Sequence, residues 1–545
     1  MMKIFDFNKN PWLIYTVAIV IFLLGGIAKF YSHSAIVYDD PFHYGEYVAT
    51  LPSVMIGKMS FLTIHGALDW LPAWVAQLFD GTEKHFLLTM ILYATLNLFA
   101  CFLLYAIIIL FANSHSKYGS IIILIASAVT IYMVTDRDVF LLLSIFLFFL
   151  DYQRSSESKI YVTLLEGSLG IALAMNLFWS FDRGIVGIVG IGGACLILLA
   201  SERRHLITIL SFSLFIAFLS WIGAFSFSDY LINFRFLTKT SSQWGYGLQK
   251  LPVLMTLVAA ICNVMAGYYL VKGFFRSCGN DWREAANFYL LFVLCLIMFK
   301  IGINRADLSH ITMALWVPML AYLYLRTKQK NHTNLKIVIL LILAMSVLEL
   351  VAVREGMYLL GVCVFIPALY IIEKKFPDLY TKIKDPRGGV LIFAFALIFI
   401  NGAFFTLELI QGKYYWLAQI TDPPRNGLLV DKGIQWVSAE LSKAGSNCVF
   451  DLSNNGVING VTALPACTKY TYPVYATQRY EGDMIQELQQ RNPPIIVFYS
   501  TYWPFSIDGK SMHDRFPELK NYLLKTYQYE KCNFGYCLRY IKKPS

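Results

Sequence analysis

The sequence predicts a polytopic α-helical membrane protein of about 13 spans, with a cytoplasmic N-terminus and a C-terminal α/β domain outside the cytoplasm. Of its 545 residues, 57% are hydrophobic and 15% are charged, whereas soluble domains carry roughly a quarter charged residues. The apolar residues form runs that reach or approach the roughly 20 residues needed to cross a bilayer. The clearest are Trp12–Phe30, Phe86–Ala112, Leu335–Val351 and Val390–Leu407. We expect the first run to be a retained span, because it is too long for a signal peptide and lacks a cleavage site.

The distribution of basic residues predicts which ends of these spans face the cytoplasm. The basic residues collect in short loops between the apolar runs, and with Lys3 and Lys9 inside, every such loop falls on the cytoplasmic side. The loops contain Lys117, Arg154 with Lys159, Arg203 with Arg204, Lys272 with Arg276 and Arg283, Arg326–Lys330, and Lys374–Arg387. The net charge of +10 therefore describes topology and indicates no nucleic-acid partner.

The same orientation places two long segments outside. The first outer loop, residues 31–85, contains a moderately apolar stretch with Trp70 and Trp74, which favours one or two helices lying along the membrane surface. We assign residues 1–411, with this loop, to a membrane domain and residues 412–545 to an outer α/β domain. About 130 residues suffice for a small domain with its own core.

Periodicity and turn residues predict the elements of the outer domain. In chain order these are a helix near residues 433–444, a strand at 448–452, a helix near 482–491, a strand at 495–499, a helix near 517–526, and a hairpin at 527–540 that turns at Asn533–Gly535.

Four of the ten cysteines lie in this tail: Cys448, Cys467, Cys532 and Cys537. Cys532 and Cys537 flank the hairpin turn and could face one another across it. One or two disulfides would fit an oxidising compartment, in agreement with the orientation derived from the basic residues. Buried free thiols are the alternative, and the absence of a CxxC pair argues against metal binding by cysteine.

Charged side chains cluster in the short outer segments, although each costs roughly 2.5–3.5 kcal/mol in the membrane even on a lenient scale. Each segment alone could be a helix cap or a surface ion pair. Together they predict one shared polar cavity, because the cytoplasmic loops carry no comparable acidic pairs. The segments hold Asp39, Asp40, His43 and Glu46; Asp136, Arg137 and Asp138; Asp182 and Arg183; Arg305, Asp307 and His310; and Arg354.

The first of these segments resembles a signature of the GT-C superfamily of membrane glycosyltransferases. In several members the catalytic Asp is followed four residues later by Tyr, a small residue and Glu, and Asp40, Tyr44, Gly45 and Glu46 fit that spacing. The many spans, the long first outer loop and the outer C-terminal domain are also similar. Position 41 is Pro where many members keep a second acid, so a second carboxylate would come from Asp39 or another loop.

The resemblance implies a sugar donor linked to a polyprenyl phosphate and a hydroxyl acceptor on a glycan, lipid or protein. An attacking hydroxyl needs one carboxylate as base, and a phosphate leaving group can be stabilised by a cation. The hypothesis is that Asp40 is the base and that Arg183, Arg305, Arg354 or His310 contacts the phosphate. Asp39, Asp182 and Asp307 would orient these groups or bind sugar hydroxyls, and the remaining charged residues of the cavity would assist in substrate binding.

Cofactor use stays open. Asp39, with Asp40, Asp136, Asp138 or Glu46, could supply oxygen ligands to a divalent cation such as Mg²⁺ or Mn²⁺. The sequence contains no GxxxxGK[ST] loop and no GxGxxG after a strand, which argues against a nucleotide cofactor.

Other functions remain possible alternatives at this stage. A lipid-linked oligosaccharide flippase or transporter predicts charges near the membrane midplane and repeated halves, and neither is evident. An O-antigen ligase or polymerase would also use a lipid-linked donor but transfer a chain, and a non-catalytic scaffold would need no such cavity. The Lys-, Asn- and Ile-rich composition is compatible with a Gram-negative bacterium, so we expect the inner membrane, with the active site and outer domain in the periplasm.

Overall fold

The chain is a mostly helical, multi-pass membrane protein. The computed structural model describes residues 19, 45, 49, 65–71, 85–111, 133–153, 158–222, 227–240, 250–305, 308–328, 432–453, 455–470, 472–499 and 515–542. Within these residues five helices are long and apolar enough to cross a bilayer: Leu92–Phe111, Lys159–Trp179, Phe181–Glu202, Thr256–Ser277 and Trp282–Ile303. The predicted runs at 335–351 and 390–407 lie outside the described residues, so the count of about 13 spans stays a prediction.

Among the described residues, ten α-helices precede the C-terminal region. They are α1 (His85–Phe111), α2 (Val139–Gln153), α3 (Lys159–Trp179), α4 (Phe181–Gly187), α5 (Gly193–Glu202), α6 (Leu206–Trp221), α7 (Phe227–Thr240), α8 (Lys250–Ser277), α9 (Trp282–Arg305) and α10 (Leu308–Lys328). Short 3₁₀ helices lie at Ala67–Trp70, within the stretch predicted to be helical, and at Asp136–Asp138.

Packing divides the chain into two compact units. The helical unit comprises Met1–Ser32, Ala94–Ala224 and Leu248–Gly412, and the mixed unit comprises His33–Tyr93, Phe225–Gly247 and Lys413–Ser545. The mixed unit thus combines the first outer loop with the C-terminal region. The functional division at residues 411 and 412 stays a prediction.

Helices α4 and α5 form one continuous apolar segment through a π-helical turn at Ile188–Gly192. The wider turn breaks the regular α-helical hydrogen-bond ladder. The carbonyl of Val189 accepts a hydrogen bond from the Tyr289 hydroxyl of α9 at 3.1 Å. Gly193 lets the same ring approach, because a Cβ there would lie 2.5 Å from Tyr289 Oη.

The mixed unit contains the only sheet among the described residues. Besides α7 and the first residues of α1, the described α-helices of this unit are α11 (Lys432–Lys443), α12 (Val457–Thr462), α13 (Glu481–Arg491) and α14 (Pro517–Thr526). Its strands are β1 (Ile495–Tyr499), β2 (Tyr529–Asn533) and β3 (Tyr536–Tyr540). The strand order is β1-β3-β2, and both pairings are antiparallel. Phe534 and Gly535 turn the hairpin with φ of 49° and 84°, as a type I′ turn requires.

One predicted strand is not formed. Residues 448–452 make only isolated parallel bridges, Val449 with Ala466 and Asp451 with Val497. Asp451 accepts hydrogen bonds from the backbone N–H groups of Ser453 and Asn455, both at 2.7 Å. These local bonds bend the chain into the turn before α12, so the extended segment ends before a ladder can develop.

Two disulfides join the four C-terminal cysteines, which confirms the predicted oxidised state and excludes the free-thiol alternative for them. Cys448 bonds to Cys467, and Cys532 bonds to Cys537. Cys532 and Cys537 are directly paired across the hairpin, with Cα atoms 4.1 Å apart. A two-residue turn brings such a pair within reach of a disulfide.

Candidate functional site

A buried arginine lies between two carboxylates in the helical unit. Arg183 Nε donates to Asp138 Oδ1 at 2.6 Å, and its Nη1 donates to Asp182 Oδ2 at 2.6 Å. The side chains of Arg183 and Asp138 are 4% and 0% exposed, whereas that of Asp182 is 38% exposed. One guanidinium therefore fixes a second carboxylate that solvent or a ligand can reach.

Local capping holds Asp138 in place. Thr135 donates to Asp138 Oδ2 from its backbone N–H at 2.9 Å and from its hydroxyl at 3.2 Å. Asp138 N–H returns a hydrogen bond to the Thr135 carbonyl at 3.0 Å. Both oxygens of Asp138 thus already accept hydrogen bonds, which makes this carboxylate an anchor for Arg183.

Asp182 lies in the first turn of α4, where a carboxylate is favoured by the helix dipole. It is not the cap residue, because Ser180 occupies that position. Asp182 Oδ1 accepts hydrogen bonds from the Ser180 hydroxyl at 2.7 Å and from the Arg183 N–H at 2.8 Å.

Residues outside the predicted site complete the cluster. Asn176 Nδ2 donates to the Arg183 carbonyl at 2.8 Å, and Trp179 Nε1 donates to the Asp136 carbonyl at 2.9 Å. The sequence could have identified Asn176, because it is a polar residue within the apolar run of α3. The structure shows that its side chain is fully buried. Asp136 is itself buried, at 2% exposure, and Arg137 follows it in the same 3₁₀ turn.

Helix register brings Arg305 to the same end of the helical unit. Glu202, at the end of α5, accepts a hydrogen bond at 2.8 Å from Arg283 in the first turn of α9. Val189, which precedes Glu202 in the chain, accepts a hydrogen bond from Tyr289, which follows Arg283. The two segments therefore run antiparallel, so the start of α4 lies near the end of α9. Arg305 is the last residue of α9. Helix α10 begins three residues later, with His310 in its first turn.

The first outer loop contacts the C-terminal region inside the mixed unit. A Cβ on Gly45 would lie 2.6 Å from Gly456 N and would also clash with the Tyr472 hydroxyl. A Cβ on Gly456 would in turn lie 2.7 Å from Ala49 Cβ and from the Gly45 carbonyl oxygen. Only residues without a side chain allow the two backbones to approach this closely. Gly45 belongs to the Asp40–Glu46 segment that resembles the GT-C signature.

Burial also affects the turn that presents Gly456. Burial raises the pKa of the Asp451 carboxyl to about 6, against the lowering effect of hydrogen bonds from Ser453 and Asn455.

The predicted site residues that lie outside the described residues are Asp39, Asp40, His43, Glu46, Asp307 and Arg354. Their roles stay predictions.

Among the described residues, two groups could hold a metal ion, and neither contains Asp136 or Asp138. One is Glu530 with Cys532 and Cys537, and the other is Asp151 with Glu166 and His205. The first cannot supply thiolates while its cysteines form a disulfide.

No protein-family model and no curated protein sequence matches the chain. Solved structures do show a likeness. One is the archaeal oligosaccharyltransferase AglB from Archaeoglobus fulgidus in complex with an inhibitory peptide and a dolichol-phosphate. It is 10% identical, with a TM-score of 0.46 over 95% of this chain and 72% of that chain.

Two further structures are of the Archaeoglobus fulgidus oligosaccharyltransferase. The one tethered to an acceptor peptide containing the NVT sequon is 11% identical, with a TM-score of 0.44 over 90% of this chain and 69% of that chain. The one in complex with Zn and sulfate is 9% identical, with a TM-score of 0.34 over 89% of this chain and 68% of that chain. At these TM-scores the structures do not by themselves assign an activity to the chain.

Proposed function

We propose that the protein is a GT-C glycosyltransferase that moves a sugar, a hexose or a pentose, from a polyprenyl-phosphate donor to a hydroxyl acceptor. The observation that carries this proposal is the Asp138–Arg183–Asp182 cluster at the end of a membrane-spanning segment. An exposed carboxylate held by a buried cation suits a reaction between a lipid-borne phosphate and a polar sugar.

Asp40 is the proposed general base. It must remove the acceptor proton as the hydroxyl attacks the anomeric carbon, while the phosphate leaves without needing a general acid. Asp40 precedes by five residues Gly45, whose backbone packs against Gly456 and Tyr472. Close packing at Gly45 supports the proposal, because a catalytic carboxylate needs a fixed attachment to the protein.

Arg183 acts by orienting Asp182, in this proposal, because two of its nitrogens are already committed to carboxylates. Asp182, half-exposed, would then bind a sugar hydroxyl. The other cations of the outer segments would stabilise the negative charge that develops on the phosphate; these are Arg305, Arg354 and His310. Two of these are near the turn between α9 and α10, at the end of the helical unit where Asp182 lies.

The proposed location follows from the basic loops. We place the chain in a bacterial inner membrane, with the first outer loop and residues 412–545 in the periplasm, where both disulfides could form. The acceptor would be a glycan or glycolipid of the cell envelope. A divalent cation, Mg²⁺ or Mn²⁺, remains a proposal for the Asp39 and Asp40 region.

A donor-cleavage assay tests the function. The full chain, reconstituted in lipid vesicles, is given a panel of polyprenyl-phosphate hexoses and pentoses together with an envelope-glycan extract, with and without Mg²⁺ or Mn²⁺. Transfer releases free polyprenyl phosphate and adds one sugar mass to an acceptor, both measured by mass spectrometry. Intact donor that only crosses the bilayer would instead identify a flippase, and addition of a preformed chain would identify a ligase or polymerase.

A further inference from the structure

A second buried polar cluster lies far from Asp138 in the helical unit. Asp151 is near the end of α2, 13 residues beyond Asp138, which corresponds to about 20 Å of helix. It meets Glu166 of α3 and His205, which links α5 to α6. Their exposures are 3%, 6% and 1%, and one ligand atom from each lies within 4.8 Å of the others.

The imidazole of His205 is oriented as in a metal site. Its Nδ1 lies 3.2 Å from the Thr208 hydroxyl, and its ring stacks on Phe148 with centroids 5.9 Å apart. Its Nε2 faces Asp151 Oδ2 at 3.6 Å, beyond hydrogen-bond distance. Metal-binding histidines are held in this way, with one ring nitrogen hydrogen-bonded and the other directed to the ion.

The Asp151 carboxylate is incompletely satisfied, whereas Glu166 Oε1 accepts a hydrogen bond from the His205 N–H at 3.2 Å. Arg204 donates to Asp151 Oδ2 at 2.8 Å, while its Nε is 4.0 Å from Glu166 Oε1. Asp151 Oδ1 is buried without a hydrogen-bond partner in the part of the chain that the structure describes. Two buried carboxylates thus face one guanidinium, and one oxygen remains open to a further cation.

We propose that Asp151, Glu166 and His205 bind a divalent transition-metal ion, with zinc as the ion to test. One imidazole nitrogen with carboxylate oxygens is a ligand set that zinc and other first-row ions accept. The ion would link α2, α3 and the turn between α5 and α6. This site is independent of glycosyl transfer.

Arg204 makes the proposal unusually easy to test. The Arg204 side chain is 16% exposed, and its guanidinium donates to Asp151 Oδ2, the oxygen that faces His205 Nε2. Arg204 would therefore compete with the metal for the Asp151 carboxylate. If the cluster is a metal site, removal of Arg204 strengthens zinc binding. If the cluster is only an ion-pair network, the same removal destabilises the protein and creates no affinity for zinc.

The experiment uses the full chain in detergent, stripped with a chelator and titrated with ZnCl₂. Bound zinc is measured by plasma mass spectrometry, and the melting temperature is followed in parallel. The wild type should bind one equivalent that raises its melting temperature. Glu166→Gln and His205→Gln should each weaken binding at least tenfold, whereas Arg204→Gln should strengthen it several-fold.

Glu202→Gln is the matched control, because Glu202 pairs with Arg283 beside the cluster and is not a proposed ligand. It should bind zinc as the wild type does. Thr208→Val tests the oriented imidazole without touching a ligand and should weaken binding. The assignment fails if the wild type binds no zinc, if the ligand variants keep the bound equivalent, or if Arg204→Gln binds zinc no better than the wild type.

Discussion

Arg183 and Asp138 are 45 residues apart in the sequence, yet Arg183 Nε donates to Asp138 Oδ1 at 2.6 Å with both side chains almost fully buried. A buried ion pair is costly to break, because the remaining partner keeps its charge without compensation. The pair fixes the start of α4 relative to the start of α2, and it holds the more exposed Asp182 through the same guanidinium.

Removal of this arginine should destabilise the helical unit. We expect Arg183→Ala to lower the free energy of unfolding by about 3–5 kcal/mol, because Asp138 would be buried without its cation. Thermal melting in detergent measures the loss. Arg283→Ala is the control, since its pair with Glu202 is 37% and 26% exposed and should contribute at most about 1 kcal/mol. Equal effects of the two variants would contradict a special role for Arg183.

The close approach of Gly45 to Gly456 gives a steric prediction. Gly45→Ala should destabilise the mixed unit by about 1–3 kcal/mol, since its Cβ would lie 2.6 Å from a backbone nitrogen that cannot rotate away. Urea unfolding followed by tryptophan fluorescence measures the change. Gly482→Ala in α13 has no atom within 4 Å of its Cβ and should be neutral or slightly stabilising. A stable Gly45→Ala protein would mean that the loop does not pack on Gly456.

The buried Cys448–Cys467 disulfide should stabilise the mixed unit. Replacement of Cys448 and Cys467 by Ser removes a cross-link between residues 19 apart, which should cost about 3 kcal/mol. Melting temperatures with and without reductant check this. Cys278→Ser, at a free thiol, should melt as the wild type does. If reductant leaves the wild-type melting temperature unchanged, the cross-link has no stabilising effect.

Glu440 should make stability depend on pH. Burial acts to raise the pKa of this carboxyl, but hydrogen bonds from Lys531, Lys443 and Tyr540 outweigh it and the pKa falls below its ordinary value of 4.5. The folded state therefore holds the proton less tightly than the unfolded state. The stabilisation is present above about pH 4.5 and is lost as the pH falls further.

Unfolding midpoints of wild type and Glu440→Gln between pH 7 and pH 3 test this. The wild type should lose more stability on acidification than the variant, so that the difference between the two narrows. A difference that stays constant, or that widens toward low pH, would refute the role of Glu440.

Local signals explain what could be predicted. The bounds of α14 and β1, the turn at Asn533–Gly535 and the pairing of Cys532 with Cys537 follow from residues close in sequence, such as Pro517 at a helix start. Long apolar runs likewise identify membrane helices. Because apolar runs hold little information on helix rotation, they could not show that Asp138 is the partner of Arg183.

Two further features depended on long-range geometry. The Gly45–Gly456 contact joins segments about 400 residues apart, and neither glycine is in a left-handed turn that would single it out. The predicted strand at 448–452 is not formed, because the Asp451 carboxylate accepts hydrogen bonds from the backbone N–H groups of Ser453 and Asn455 in the turn that follows. All five residues of this segment are buried, but local hydrogen bonding competed with the ladder.

The proposed base is tested most directly by the Asp40→Asn variant in the donor-cleavage assay. The change keeps the size of the side chain and removes its ability to accept the acceptor proton. We predict that release of polyprenyl phosphate falls at least a hundredfold, while the melting temperature and the circular dichroism spectrum stay those of the wild type. A folded Asp40→Asn protein that transfers sugar at the wild-type rate would contradict the account.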